Sequence, residues 1–159
     1  MSELQSKHIA DSKSENVQLV LAQHINGYNR LFGGQLVAWI DILAGVVARR
    51  HSNRNVTTAT IDNLQFKHPA HVNDVVVLIG KITYVGKTSM EVRVDTYTED
   101  LAGDKELINT AYLTLVALDD DEQPIEVPRL ILETEEEKTE WEAAEKRRQF
   151  RKQRRIEQF

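Results

Sequence analysis

Two adjacent glycines, Gly33 and Gly34, stand at the start of a long apolar segment that contains one acid, Asp41. The apolar residues recur on nearly all sides of a 3.6-residue period, which predicts a helix enclosed by protein. At that period the residues from Gly34 to Asp41 return to within about 20° of the same helix face. Unpaired amides at a helix start suit a developing oxyanion, and a buried carboxylate suits a base or nucleophile. We therefore expect the amides and the acid to look toward one site.

Each of these residues also has a purely structural interpretation. A glycine pair can serve only close packing between a helix and a sheet, and Asp41 can be a structural acid that a neighbour satisfies. We favour a functional role for Asp41 because uncompensated buried carboxylates are rare outside functional sites. Asn26 precedes Gly27, and this pairing is most often turn chemistry.

Other motifs that could do chemistry have the wrong spacing or context. Gly80 is one residue too far from the Gly86-Lys87 pair for a P-loop, and no helix is predicted after that pair, so we reject a nucleotide triphosphate site. His68 and His71 lie in a proline-containing loop with no third ligand in view, which favours exposed loop histidines over a metal site. The sequence contains no cysteine, which excludes thiol nucleophiles, disulfides and thiolate metal sites.

Alternating and β-branched patterns predict one strand, one long helix, four further strands and a last charged helix. The long helix runs from the glycine pair to about residue 50, with His51 at its end. We expect strands at residues 15–23, 56–66, 75–85, 89–97 and 107–118, and a last helix capped by Thr134. This order is best satisfied by an antiparallel sheet curled around the long helix. Because edges remain in so small a sheet, we expect at least a dimer.

The length and composition are those of one domain with a tail. The chain has 159 residues, of which 41% are hydrophobic, and a net charge of −5, which does not suit a nucleic-acid binder. We expect residues 1–14 to be disordered, residues 15–132 to form the domain and residues 133–159 to form a charged helix. No signal peptide or membrane span is predicted, so we expect a soluble cytoplasmic protein without membrane partners.

The charge of the tail is polarised along the chain. Residues 133–145 hold seven acids and one base, whereas residues 146–155 hold seven bases and no acid. Acid first and base last suits a helix macrodipole. The basic run is either a solvated helix face or a surface for phosphates, RNA or an acidic partner. RNA is disfavoured because no aromatic-rich strand surface accompanies the run.

Several short motifs taken together resemble the acyl-CoA thioesterases of the hotdog fold, a group that includes bacterial acyl-CoA hydrolases and tandem-domain animal thioesterases. The resemblance covers roughly residues 17–128 and extends into the tail. It rests on Asn26, Phe32-Gly33-Gly34, Asp41, Ala48-Arg49-Arg50-His51, residues 56–62, Phe66 with Pro69, and residues 86–92. It implies an α+β fold with a sheet wrapped around the long helix, dimers whose sheets join, and commonly a trimer of dimers.

The resemblance also implies site residues. The catalytic aspartate and asparagine fall on Asp41 and Asn26, which come from opposite subunits of a dimer. Contacts to coenzyme A fall on two segments and on a basic residue of the last helix: Thr58, Ala59, Thr60, Lys87, Thr88, Ser89, and Arg147 or Arg148. The chain departs from the family pattern at Asn29, where many members have glycine, and at His24, where aspartate is frequent.

The expected activity is hydrolysis of an acyl-CoA thioester to a free fatty acid and coenzyme A. The thioester carbonyl would point at backbone amides near Phe32, Gly33 and Gly34, with Asp41 as general base or nucleophile and Asn26 orienting the water or the carbonyl. No metal or redox cofactor is implied, since coenzyme A belongs to the substrate. Two alternatives stay open: a non-catalytic acyl-CoA-binding hotdog protein, and a hotdog enoyl-CoA hydratase or dehydratase, which would need a histidine beside the acid.

Overall fold

The computed structural model describes residues 4–159 and contains a five-stranded sheet, a two-stranded sheet and two long helices. In chain order the elements are β1 (Lys7–His8), β2 (Ser14–Leu19), α1 (Gly33–Ser52), β3 (Asn55–Phe66), β4 (Val75–Val85), β5 (Ser89–Glu99), β6 (Lys105–Leu118), β7 (Leu130–Ile131) and α2 (Glu135–Glu157). Short 3-10 helices at Ile9–Asp11 and Ala22–His24 flank β2. Within residues 4–159, no helix is long and apolar enough to cross a membrane.

The large sheet is antiparallel and has the strand order β2-β4-β5-β6-β3. The helix α1 contacts all five strands. The alternation of β5 sends Met90, Val92 and Val94 into the core beside Ile40 and Val47 of α1. The predicted architecture of an antiparallel sheet around one long helix, followed by a charged helix, is confirmed.

Gly80 of β4 lets α1 lie close to the sheet. A Cβ atom at this position would lie 3.0 Å from Cγ2 of Val47 and 3.3 Å from Cγ of Leu43. Both distances are shorter than ordinary van der Waals contact between carbons. The absence of a side chain at Gly80 therefore sets the spacing between the helix and the sheet.

One stripe of α1 stays open in the single chain. Ile40 and Leu43 are buried against the sheet as the apolar pattern predicts, but Ile42 is 61% exposed. Ala38, one turn before Ile42, is exposed as well. The prediction of a helix enclosed on nearly all sides is therefore wrong for this stripe within one chain.

The N-terminal segment differs from the predicted disorder of residues 1–14. The strand β1 pairs in parallel with β7, and the Nζ atom of Lys7 donates to the carbonyl oxygen of Arg50 at 2.8 Å. Ile9 and Ser12 are buried. Contacts to the end of α1 and to β7, together with the burial of Ile9 and Ser12, thus order residues 7–14, although their composition is polar. Residues 1–3 lie outside the described residues.

Thr134 caps the last helix, as predicted. The hydroxyl of Thr134 accepts from the N–H of Glu137 at 3.1 Å, and the carboxylate of Glu137 accepts from the N–H of Thr134 at 3.3 Å, a reciprocal capping box. The helix packs on the face of the sheet opposite α1, where Glu91 and Arg93 of β5 point away from the core. Arg93 donates to Glu140 of α2 at 2.5 Å, which ties the helix to this outer face.

Candidate active site

Asp41 lies in the middle of α1, where a threonine of β3 holds it. The hydroxyl Oγ1 of Thr58 donates to Oδ1 of Asp41 at 2.6 Å. Both side chains are half-buried, so the carboxylate is neither sealed in the core nor fully hydrated. The pairing of β3 with β6 shifts register between Thr58 and Thr60, and such a bulge re-aims a side chain. The result is an oriented carboxylate that other groups can still reach.

Asn26 lies in the loop before α1, where its side chain organises a turn. Its Oδ1 atom accepts from the backbone N–H groups of Tyr28 at 2.9 Å and Arg30 at 3.3 Å. The backbone N–H of Asn26 also donates to the carbonyl oxygen of Arg30 at 2.8 Å. The turn uses the oxygen of the Asn26 side chain and leaves its amide nitrogen for another partner.

Both departures from the family pattern have local structural reasons. Asn29 has a φ of 58°, in the left-handed region that asparagine adopts more readily than most residues, so it can stand where glycine is common. The Nδ1 atom of His24 accepts from the backbone N–H of Leu21 at 2.9 Å, an acceptor role that aspartate also fills. The His24 ring also packs edge-on against Trp39, with ring centroids 5.0 Å apart.

The start of α1 opens onto a cavity of about 360 Å³. Asn26, Gly33, Leu36 and Phe66 are among the residues that line it. The residue before the helix, Phe32, provides no side-chain acceptor for the helix amides, so the first amides remain available to another acceptor. Positive partial charge beside apolar walls suits the carbonyl oxygen of an ester or thioester.

Asp41 does not line that cavity. The helical rise places it about 10 Å further along the α1 axis than Gly34. One chain therefore contains two separate parts. The amide half-site comprises Asn26 and Gly33, which line the cavity, with the amide of Gly34 next along the helix, and the acid half-site comprises Asp41 with Thr58. The expectation that amides and acid look toward one site is not met within a single chain.

A second candidate region is a groove of about 880 Å³ between α2 and the sheet. We call it the basic groove. Four residues predicted to contact coenzyme A line it, namely Ala59, Thr60, Ser89 and Arg148. Four further cations that the sequence analysis did not single out also line it: Arg151, Lys152, Arg154 and Arg155. Asp62 also lines the groove, so five cations face one acid, and this excess of positive charge suits a phosphate-bearing ligand.

The structure does not bring Thr58, Lys87, Thr88 or Arg147 into the basic groove. Thr58 instead bonds to Asp41. Lys87 is exposed, and the carbonyl groups of Lys87 and Thr88 accept hydrogen bonds from the backbone N–H groups of Val127 and Ala117, which hold the turn in place. Of the two arginines proposed from the resemblance, Arg148 is therefore the one that faces the groove.

Arg147 belongs to a buried cluster instead. Its guanidinium donates to both carboxylate oxygens of Glu91, at 2.6 and 3.1 Å, and lies 3.7 Å from the centre of the Tyr112 ring. Burial opposes the charge of Arg147, but the hydrogen bonds and charge of Glu91 outweigh burial and raise the pKa of the guanidinium above its ordinary value. Burial also raises the pKa of Tyr112.

Of the three histidines considered in the sequence analysis, His68 lines the cavity at the start of α1, whereas His51 and His71 do not. His51 is at the end of α1 as predicted, but it is fully buried, and its Nε2 atom lies 2.9 Å from the carbonyl oxygen of Pro128. Burial lowers the pKa of His51 below its ordinary value. His68 and His71 are exposed loop residues, in line with the prediction.

Comparison with known proteins gives the family. A sequence model of the thioesterase superfamily matches residues 28–103. An uncharacterised acyl-CoA thioester hydrolase of Bacillus subtilis (strain 168), YkhA, is 40% identical over 134 residues, which are 84% of this chain and 78% of that protein. The chain belongs to the thioesterase superfamily. It is an acyl-CoA thioester hydrolase, which confirms the predicted family and enzyme class. The chain spans only 20–25% of the length of two mouse thioesterases that it also matches.

Solved structures confirm the hotdog fold of this hydrolase. The Staphylococcus aureus acyl-CoA hydrolase, solved with butyryl coenzyme A, coenzyme A and coenzyme A disulfide, superposes with a TM-score of 0.91 at 35% identity, covering 96% of this chain and 94% of that chain. A hexameric acyl-CoA thioesterase in its apo state gives 0.90 at 39% identity, covering 95% and 97%. Variants of the Staphylococcus aureus enzyme with alanine in place of an asparagine, an aspartate or a threonine also match.

Proposed function

We propose that this hydrolase cleaves acyl-CoA thioesters at sites formed between two copies of the chain. The separation of the two half-sites within one chain is the observation that supports this most directly. In each site, the amide half-site of one copy binds the thioester carbonyl. The acid half-site of the other copy acts on the carbonyl carbon.

The proposed reaction uses Asp41 as the base. Water adds to the carbonyl carbon while Asp41 accepts a proton from that water. The carbonyl oxygen becomes an anion and accepts hydrogen bonds from the amides of Gly33 and Gly34, where the loss of one donor typically costs on the order of 10²- to 10³-fold in rate. The carbon–sulfur bond then breaks, its electron pair stays on sulfur, and the proton on Asp41 passes to the departing thiolate. Direct attack by Asp41, giving an anhydride that water opens, needs the same placement of groups.

Residue spacing supports these assignments. In the Staphylococcus aureus enzyme, the asparagine, aspartate and threonine that were replaced by alanine are separated by 15 and 17 residues. Asn26, Asp41 and Thr58 have the same residue types at the same spacings of 15 and 17 residues. We therefore assign Asn26 to orient the water or the carbonyl, and Thr58 to orient Asp41.

The open stripe of α1 is the surface that we propose for the second copy. Ile42 is next to Asp41 in the chain, and Ile61 and Phe66 of β3 are exposed apolar residues as well. The strand β3 is an edge of the five-stranded sheet, so its outer edge is available for pairing. The hexameric state of a structural relative supports self-association, and we propose a trimer of dimers.

We propose that the basic groove binds the nucleotide phosphates of coenzyme A. Arg148 and the cations beside it supply the charge, and Ala59, Thr60 and Ser89 supply the opposite wall. Lys87 and Thr88 stay candidate contacts to coenzyme A on the basis of the resemblance alone. The cytoplasmic location, the role in fatty acid metabolism and the lack of a cofactor likewise stay predictions from the sequence.

Subunit complementation tests the shared site. The variants Asn26→Ala and Asp41→Asn each disable one half-site, and a dimer with one subunit of each kind keeps one intact site. Random pairing in cells that produce both variants should restore about a quarter of the wild-type sites. Thiol release from acyl-CoAs between acetyl and palmitoyl measures the turnover.

The matched control pairs the wild type with the double variant Asn26→Ala/Asp41→Asn. A shared site predicts about a quarter of the wild-type sites in that mixture as well, whereas a site within one chain predicts about half. The shared site is refuted if the two single variants restore nothing together. The residue assignments are refuted if either single variant alone turns over near the wild-type rate while folded.

A further inference from the structure

We propose that Glu91, a buried acid outside the hydrolytic site, is a positioning residue that fixes α2 on the sheet and thereby aligns the basic groove. The inference rests on the proposed function, because it assigns that groove to the phosphates of coenzyme A. Glu91 is 2% exposed and points away from the core toward α2. A buried carboxylate is stable only when hydrogen bonds and opposite charge compensate it, so its partners show what it does.

The partners of Glu91 come from both the sheet and the helix. The hydroxyl of Thr83 on β4 donates to its Oε1 atom at 2.7 Å. Arg147 of α2 donates to Oε1 at 2.6 Å and to Oε2 at 3.1 Å, a two-point contact that sets the orientation of the guanidinium. Arg151, one turn later, lies 3.5 Å from Oε2. Glu91 thus fixes the rotation of α2 as well as its contact with the sheet.

The cations of α2 form two neighbouring stripes, since residues three and four apart share a helix face. The paired stripe lies 2.6–3.5 Å from Glu91 or Asp62 and comprises Arg147, Arg151 and Arg154. The unpaired stripe is displaced by one residue and comprises Arg148, Lys152 and Arg155, all of which line the basic groove. Among residues 4–159, no carboxylate forms a salt bridge with the unpaired stripe.

This division of charge lets one basic run both attach α2 to the sheet and present positive charge to a ligand. The acids of the sheet neutralise the paired stripe and hold it against the outer face. The unpaired stripe keeps its positive charge for an anionic ligand. Arg148 is also braced by the sheet, because its Nη1 atom donates to the hydroxyl of Tyr84 at 3.0 Å. A rotation of α2 that released Arg147 would turn the unpaired stripe away from Thr60 and Ser89.

The variant Glu91→Gln tests this role. Loss of the carboxylate removes the two-point partner of the largely buried Arg147 and leaves it only Glu140, whose Oε2 atom lies 4.0 Å away, which is unfavourable. We expect KM for an acyl-CoA to rise about tenfold with kcat within about twofold, because groove binding suffers while the reacting groups are untouched. KM for the matching acyl-pantetheine, which lacks the nucleotide, should stay within about twofold. Simple electrostatics predicts the opposite sign for acyl-CoA, since the substitution removes a negative charge near bound phosphates.

Two further variants separate positioning from general damage. Glu145→Gln makes the same charge change at an exposed position of α2 and should leave KM unchanged. The double variant Glu91→Gln/Arg147→Met removes both buried charges, and Met can pack on Tyr112, so we expect KM for acyl-CoA to return to within about threefold of wild type. Tryptic cleavage within residues 146–155 should be about tenfold faster in Glu91→Gln alone.

The outcomes are separable. A Glu91→Gln variant with unchanged KM and unchanged tryptic cleavage overturns the proposal, and so does a rise in KM that is equal for acyl-CoA and acyl-pantetheine. If the wild type releases no thiol from any acyl-CoA, the proposed function fails. The tryptic cleavage rates of Glu91→Gln, Glu145→Gln and the double variant then still decide whether Glu91 fixes α2.

Discussion

Replacing Thr58 by valine removes the hydroxyl that orients Asp41 and keeps a β-branched side chain of similar shape in β3. At 2.6 Å the hydroxyl–carboxylate bond is short, and a hydrogen bond to a charged group of this kind contributes about 1.5–3 kcal/mol. If that energy positions Asp41 in the transition state, kcat should fall about tenfold to a hundredfold. KM should change little, because Thr58 lies outside the basic groove.

The measurement is steady-state thiol release by Thr58→Val and Thr58→Ser on one acyl-CoA. Thr58→Ser keeps the hydroxyl and should stay within about threefold of wild type, since the donor to Asp41 is retained. Unfolding in denaturant verifies that both variants are folded to a similar extent. The reasoning is refuted if Thr58→Val and Thr58→Ser turn over equally fast, or if the effect of valine appears in KM and not in kcat.

Two predictions concern stability. Gly80→Ala should destabilise the protein by about 1–3 kcal/mol, because a Cβ atom would lie 3.0 Å from the side chain of Val47. The control Gly27→Ala should change stability little, because a Cβ atom there would have no other atom within 4 Å. Equal denaturant midpoints for the two variants would contradict the close packing at Gly80. His51 has a lowered pKa in the folded state, so below pH of about 6.5 the unfolded chain binds more protons and stability should fall as pH decreases. The variant His51→Gln should flatten this dependence in unfolding titrations between neutral and acidic pH, and an unchanged slope would show that other groups cause it.

The elements were predictable where a local period dominates the sequence. The strand β4 coincides with the expected residues 75–85, because its β-branched run is bounded by turn signals on both sides. Thr134 capped the last helix as expected, because the capping pair with Glu137 is local in sequence. The pairing of β1 with β7 was missed, since a two-residue strand that pairs across the whole domain leaves no periodic signal.

The candidate site was predictable in residue type but not in arrangement. Asp41 and Asn26 were singled out and, from the resemblance, assigned to opposite subunits, but the helix period predicts amides and acid at one site because no local pattern encodes the cavity at the start of α1. Glu91 lies at a polar position of an alternating strand, a pattern typical of an exposed face, and the packing of α2 on that outer face buries it. The spacing of Arg148, Lys152 and Arg155 on one helix face is a signal that could have identified the basic groove.

In the proposed dimer, the open stripe of α1 links assembly to catalysis. A large apolar side chain such as Ile42, exposed beside other apolar residues, favours burial against another surface. Asp41 precedes Ile42 on the same helix, so a surface that covers Ile42 also approaches the acid half-site. In the proposed dimer, burial of the stripe and completion of the site are one event, so hydrolysis would depend on association. The proposed shared site would also explain why the chain keeps an accessible carboxylate in an apolar helix, because the carbonyl would reach the acid only when a second copy supplies the amides.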